Sequence, residues 1–256
     1  MNTRQRDVKI LFLGQCLQSG YDGVPPSATY PTLARAALST RFPQLNFIFE
    51  VRVLNHPKGL KALVRYRVAE FKPDIVVINV LASFLATHWG ASIFYEIAPE
   101  IMVAARSFLA RIDAKIRSEP TFEKFANKLR PQVVHPPLQL DEYERLLEGG
   151  INQCRRTNGC RVALLGPGGF NEDDTKNDFK LQSPKLWSSV NEMVLKLGGR
   201  LDVPVINAQE ALHECRDEAF LRNDHRFSQY GQVVVAREVE AVLAAQVTAL
   251  LHDDEN

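Results

Sequence analysis

The order of apolar runs in the first 81 residues constrains the fold more than any other feature. Ile10, Leu11, Phe12 and Leu13 form a short apolar run that Gly14 stops, as a buried parallel strand would. Residues 46–54 (NFIFEVRVL) alternate and are rich in β-branched and aromatic side chains, which predicts a second strand. Residues 75–81 predict a third, apolar but for Asn79. Between them, Leu33, Ala36, Ala37 and Leu38 mark one side of a helix over 32–40, and Leu60, Leu63, Val64 and Val68 one face of a helix over 60–71. Strand–helix–strand–helix–strand requires a parallel sheet with right-handed crossovers. Residues 161–165 and 203–207 predict two further strands, and helices are expected at 140–157, 184–197, 208–215 and 232–251.

The expected class is therefore α/β, a three-layer α/β/α sandwich on a parallel five-stranded sheet of the flavodoxin-like kind. Residues 85–158 are long for a simple crossover, and residues 86–138 account for the excess. Their apolar spacing (Ile97, Ile101, Ala104, Ala105, Phe108, Ile112, Ile116) predicts a helix over 93–117, with a shorter one over 121–129 and a loop over 131–137. They read as a helical insertion in a single domain spanning 1–256. Packing over the sheet, shaping a pocket and offering a homodimer face are all open roles for it.

Charge and composition narrow the partners. A formal net charge of +1 favours no polyanion, so no nucleic acid is expected. No apolar run approaches a membrane span, and residues 10–13 are too short for a signal-peptide core, so the expectation is a cytoplasmic protein away from membranes. Cys16, Cys154, Cys160 and Cys215 lack metal-ligand spacing and read as reduced thiols. The glycine-rich 166–170 lacks the Gly-Lys-Ser/Thr ending of a phosphate loop. Neither metal nor cofactor is expected.

On such sheets, ligands bind at the C-terminal ends of the strands. Cys16, His56 and residues 81–84 all follow strand ends. A nucleophile on a tight turn between strand and helix is exposed, and free N–H groups at the helix start hold a developing oxyanion. A free thiol has a pKa of about 8.5, so it needs a partner to become a thiolate at neutral pH. A histidine can take that proton and return it to a leaving group. Asn79, His88 and Trp89, near the third strand end, read as structural or substrate-lining.

Residues 14–21 (GQCLQSGY) and 222–231 (RNDHRFSQYG) resemble the first and last blocks of the SGNH/GDSL hydrolases. The family's first block reads Gly-Asp-Ser-Leu, two residues, Gly and often Tyr. Gly14, Leu17, Gly20 and Tyr21 match it, Gln15 replaces the Asp, and Cys16 stands at the nucleophilic serine. The last block places an Asp three residues before the catalytic histidine, and a Gly before the final helix. His225 and Gly231 match, Arg222 stands at the Asp position, and Asp224 is the nearest acid. The resemblance implies oxyanion donors after the second strand, aligning at Asn55 or His56, and after the third strand. There the usual Gly-x-Asn-Asp is absent and Ser83 holds the Asn position.

The implied function is an SGNH-like hydrolase or acyltransferase acting on an ester or thioester. Cys16 and His225 form an acyl-enzyme, Asp224 orients His225, and Ser83, His56 and Asn55 line the oxyanion and substrate site. A small-molecule acyl ester or thioester is the expected partner. The altered blocks keep a second reading open, an inactive relative that binds a small acyl or carbohydrate ligand. A third, an interaction protein, would use the insertion as a docking face.

Overall fold

The computed structural model describes residues 5–14, 20–21, 23–54, 57–85, 88–89, 134–135, 138–169, 184–221 and 226–255. Strands β1 (Arg6–Gly14), β2 (Leu45–Val53) and β3 (Ile75–Asn79) alternate with helices α1 (Tyr30–Arg41) and α2 (Leu60–Phe71). A two-residue antiparallel ribbon follows, β4 (His88–Trp89) with β5 (Val134–His135), which sets His88 opposite His135. Then come α3 (Leu140–Asn158), β6 (Arg161–Leu165), α4 (Pro184–Leu201), β7 (Val205–Ile206), α5 (Ala208–Ala211), α6 (Arg216–Ala219) and α7 (Gln229–Glu255).

The main sheet has the order β2-β1-β3-β6-β7, and every pairing in it is parallel. This is the flavodoxin-like order expected from the sequence. Alternate strand residues feed two cores. Leu11, Leu13, Val76, Ile78, Val162 and Leu164 pack beneath α2, α3 and α4. Ile10, Phe12, Ile75, Val77, Ala163 and Leu165 pack beneath α1 and α7. The continuous apolar runs of β1 and β3 are thus explained by helices on both faces.

Several boundaries differ from the sequence reading, each for a local reason. β1 starts at Arg6, ahead of the apolar run at 10–13, because Arg6 is in register with Leu45 of β2. α1 starts at Tyr30, with Pro31 in its first turn, where a missing N–H costs nothing. The last sheet strand shrinks to Val205–Ile206 because Pro204 has no N–H to donate, and the Val203 N–H turns back to the Gly198 carbonyl at 2.9 Å. The helix expected over 208–215 is α5 followed by a 3-10 turn, His213–Cys215. The loop expected over 131–137 contains β5. The final helix begins at Gln229, not after Gly231, because Ser228 caps it. The Ser228 hydroxyl accepts the Gly231 N–H at 3.1 Å, and its carbonyl accepts the Gln232 N–H at 2.9 Å. The helices expected over 93–117 and 121–129 lie outside the described residues.

Candidate active site

The sheet register brings three strand ends to one edge. Gly14 pairs with Val53, and Leu13 pairs with Ile78 across β3. α1 lies on one face of the sheet and α2 on the other, so the crevice between the ends of β1 and β3 is the switch point where such folds bind ligands. The chain enters Cys16 directly from the end of β1, with only Gln15 between. It enters Asn55 and His56 from Leu54, whose N–H donates to the Gly14 carbonyl. Ser83 belongs to the 3-10 turn Ala82–Leu85 that follows β3. Cys16, Asn55, His56, Asp224 and His225 themselves lie outside the described residues, as does the 171–183 loop.

The flanks of these positions are held firmly. After β3, the Val80 N–H donates to the Leu165 carbonyl at 2.8 Å and the Leu81 N–H to the Tyr143 hydroxyl at 3.0 Å. Tyr143 is fully buried on α3. Burial pushes its phenol far above the usual tyrosine range, and the Leu81 N–H opposes that only in part. The turn bearing Ser83 is therefore anchored from the far helix layer.

The described chain on either side of residues 222–225 is paired. Leu221 donates its N–H to the Arg226 carbonyl at 2.8 Å, and Phe220 pairs with Phe227, their rings 5.6 Å apart. It is also tied to the chain just after Cys16. The Tyr21 hydroxyl donates to the Phe227 carbonyl. The Arg226 guanidinium lies 5.2 Å from the centre of the Tyr21 ring, and Gln229 Nε2 donates to the Gly23 carbonyl at 3.1 Å. Two segments some 200 residues apart in sequence thus meet through side chain and backbone.

Two matched glycines acquire physical reasons. Gly20 has φ +89, and a Cβ there would stand 2.8 Å from Pro26 N. A Cβ on Gly231 would stand 2.0 Å from the Ala219 carbonyl oxygen, so only glycine lets α7 approach α6 this closely.

Two of the other thiols are raised, and the third, Cys160, is lowered by its hydrogen bond with Cys154 but is buried. Cys154 and Cys160 are free and buried, and Cys154 is pushed up by its hydrogen bond with Cys160 and by burial. Cys215 is raised by desolvation, with Glu218 and Glu214 adding to it. Among the described residues no group of three or more His, Cys, Asp or Glu side chains could hold a metal, and no helix is long and apolar enough to cross a membrane.

The sequence reading overlooked Tyr143 and Gln232. Both carried a signal. Tyr143 leads the buried stripe Tyr143, Leu147, Ile151 and Cys154, where a phenol needs a partner. Gln232 leads the stripe continued by Val235, Val239 and Leu243, where an amide is out of place unless hydrogen-bonded.

No family model matches the chain, and no curated protein matches it. Solved structures do. The lipase/acylhydrolase from Enterococcus faecalis matches over 91% of this chain and 96% of its own, with TM-score 0.58 and 16% identity. The acetyl xylan esterase AlAXEase matches over 92% and 99%, with TM-score 0.59 and 15% identity. A catalytic mutant of Axe2, an acetylxylan esterase from Geobacillus stearothermophilus, matches over 91% and 92%, with TM-score 0.56 and 16% identity. At these identities the likeness is one of fold, and the fold is the SGNH-hydrolase α/β fold.

Proposed function

We propose that this chain is an SGNH-like hydrolase that cleaves an ester or thioester through Cys16 and His225. The observation that carries this reading is the tie from Tyr21 to the backbone at Phe227, which holds the chain after Cys16 against the chain after His225. The fold shared with a lipase/acylhydrolase and with acetyl xylan esterases supports it. In the proposed reaction His225 takes the Cys16 proton, and the thiolate adds to the substrate carbonyl. The tetrahedral oxyanion collapses, and the bond to the leaving alcohol or thiol breaks as His225 returns the proton. Water, deprotonated by His225, then attacks the acyl-cysteine and releases the acid and the free thiol. Asp224 orients the imidazole, and the Cys16 N–H and Ser83 stabilise the oxyanion, with Asn55 and His56 lining the substrate. An acceptor alcohol or thiol in place of water makes the same chemistry a transfer.

The altered positions Gln15, Ser83 and Arg222 favour the second reading, a pocket that binds an acyl or carbohydrate ligand without cleaving it. Acid release from short-chain esters and acyl thioesters distinguishes the two. Turnover that vanishes in Cys16→Ala and partly returns in Cys16→Ser supports catalysis. No turnover on the whole panel, with Cys16 no more reactive than a free thiol, refutes it.

A further inference from the structure

Gln232 is a fully buried amide on α7, and its orientation follows from its partners. The Tyr30 N–H is a donor only and bonds Gln232 Oε1 at 2.7 Å. That turns Gln232 Nε2 toward the Tyr21 hydroxyl, 2.9 Å away. The Tyr21 oxygen thus accepts from Gln232 and directs its own proton to the Phe227 carbonyl. One chain of hydrogen bonds with a defined direction runs from the start of α1, through α7 and the chain after Cys16, to the backbone after His225.

We infer that Tyr21 and Gln232 form a clasp that sets the spacing between the chain that follows Cys16 and the chain that follows His225, making them positioning residues for that pair. The inference rests on the Cys16–His225 reading and goes beyond it, since neither residue touches the reacting atoms. Tyr21 holds the loop, and Gln232 fixes the direction in which Tyr21 donates. Arg226, over the Tyr21 ring, adds a cation–π contact to the same pair of segments.

The test measures alkylation of Cys16 by iodoacetamide across pH, read peptide by peptide, with the half-buried Cys215 as internal reference. Hydrogen exchange over 220–228 is followed in the same proteins. The variants are Tyr21→Phe, which keeps the ring, and Gln232→Glu. The latter still accepts from Tyr30 but now attracts the Tyr21 proton away from Phe227. His225→Ala is the control.

In both clasp variants, exchange over 220–228 is expected to quicken. The Cys16 midpoint is expected to rise by about one pH unit, a loss of about tenfold in alkylation rate at pH 7. A merely structural role would lower thermal stability and leave that midpoint in place. Faster exchange with an unmoved midpoint, in a protein whose midpoint His225→Ala does shift, overturns the clasp alone. Unchanged exchange in Tyr21→Phe overturns it as well. A wild-type midpoint indifferent to His225→Ala removes the Cys16–His225 reading, and the positioning role with it.

Discussion

Replacing Gly231 by alanine sets two effects of opposite sign against each other. Alanine is favoured over glycine in a helix by up to about 1 kcal/mol. Gly231, however, faces Ala219 in the neighbouring α6. An added Cβ would lie 2.0 Å from the Ala219 oxygen, 2.9 Å from its carbonyl carbon and 3.2 Å from its Cα. All three are backbone atoms, so no side-chain rotation relieves the clash. Real Cβ atoms keep beyond 3.0 Å of such neighbours, so α7 and α6 must separate by about 1 Å.

That movement strains the Ser228 N–H to Ala219 carbonyl bond at 2.8 Å and the bond from the Ser228 hydroxyl to the Glu218 carbonyl. Each such bond contributes about 0.5–1.5 kcal/mol, and overpacking adds about 1–3 kcal/mol. The clash wins, and Gly231→Ala should lose about 2–4 kcal/mol, a fall of roughly 5–15 °C in Tm. Gly149, within α3, has nothing within 4 Å of an added Cβ, so Gly149→Ala should gain about 0.5–1 kcal/mol. Urea and thermal unfolding of both variants checks the pair. Wild-type stability or better in Gly231→Ala, beside the expected gain in Gly149→Ala, refutes the close approach of α7 to α6.

Tyr143→Phe leaves the Leu81 N–H without its acceptor and should cost about 1–3 kcal/mol at pH 7 in urea unfolding. The same variant tests alkaline stability. Because burial raises the Tyr143 pKa in the folded state, its contribution is intact below the unfolded value of about 10 and is lost as pH rises above it. Wild type should therefore lose stability more steeply than Tyr143→Phe above pH 10, by up to about 1.4 kcal/mol per pH unit. Leu11→Ala, at a fully buried position of β1, should cost about 2–5 kcal/mol. Tyr66→Ser, at a residue 64% exposed, should stay within about 0.5 kcal/mol, and a larger loss would place Tyr66 in an interface.

The sequence by itself determined the layer architecture. Apolar runs such as 10–13 and 75–78 can only be buried on both faces, and helical stripes such as Leu60, Val64 and Val68 supply the cover. From that alternation the parallel sheet and its ligand-binding edge follow by rules of connectivity, before any contact is known. The positions of Cys16, His56 and Ser83 just beyond strand ends were legible for the same reason.

Tertiary structure decided what depends on groups far apart in the chain. Periodicity put the start of the final helix after Gly231, and Ser228 moved it to Gln229 by capping it. Val203 promised a strand residue, and the bond from its N–H to Gly198 withdrew it. Gln232 looked like one more residue of an apolar helix, yet it joins Tyr30 to Tyr21 across the fold. Local sequence encodes which face of an element is apolar. It does not encode which distant donor meets which acceptor, because hydrogen bonds are short and directional and form only after the layers have packed.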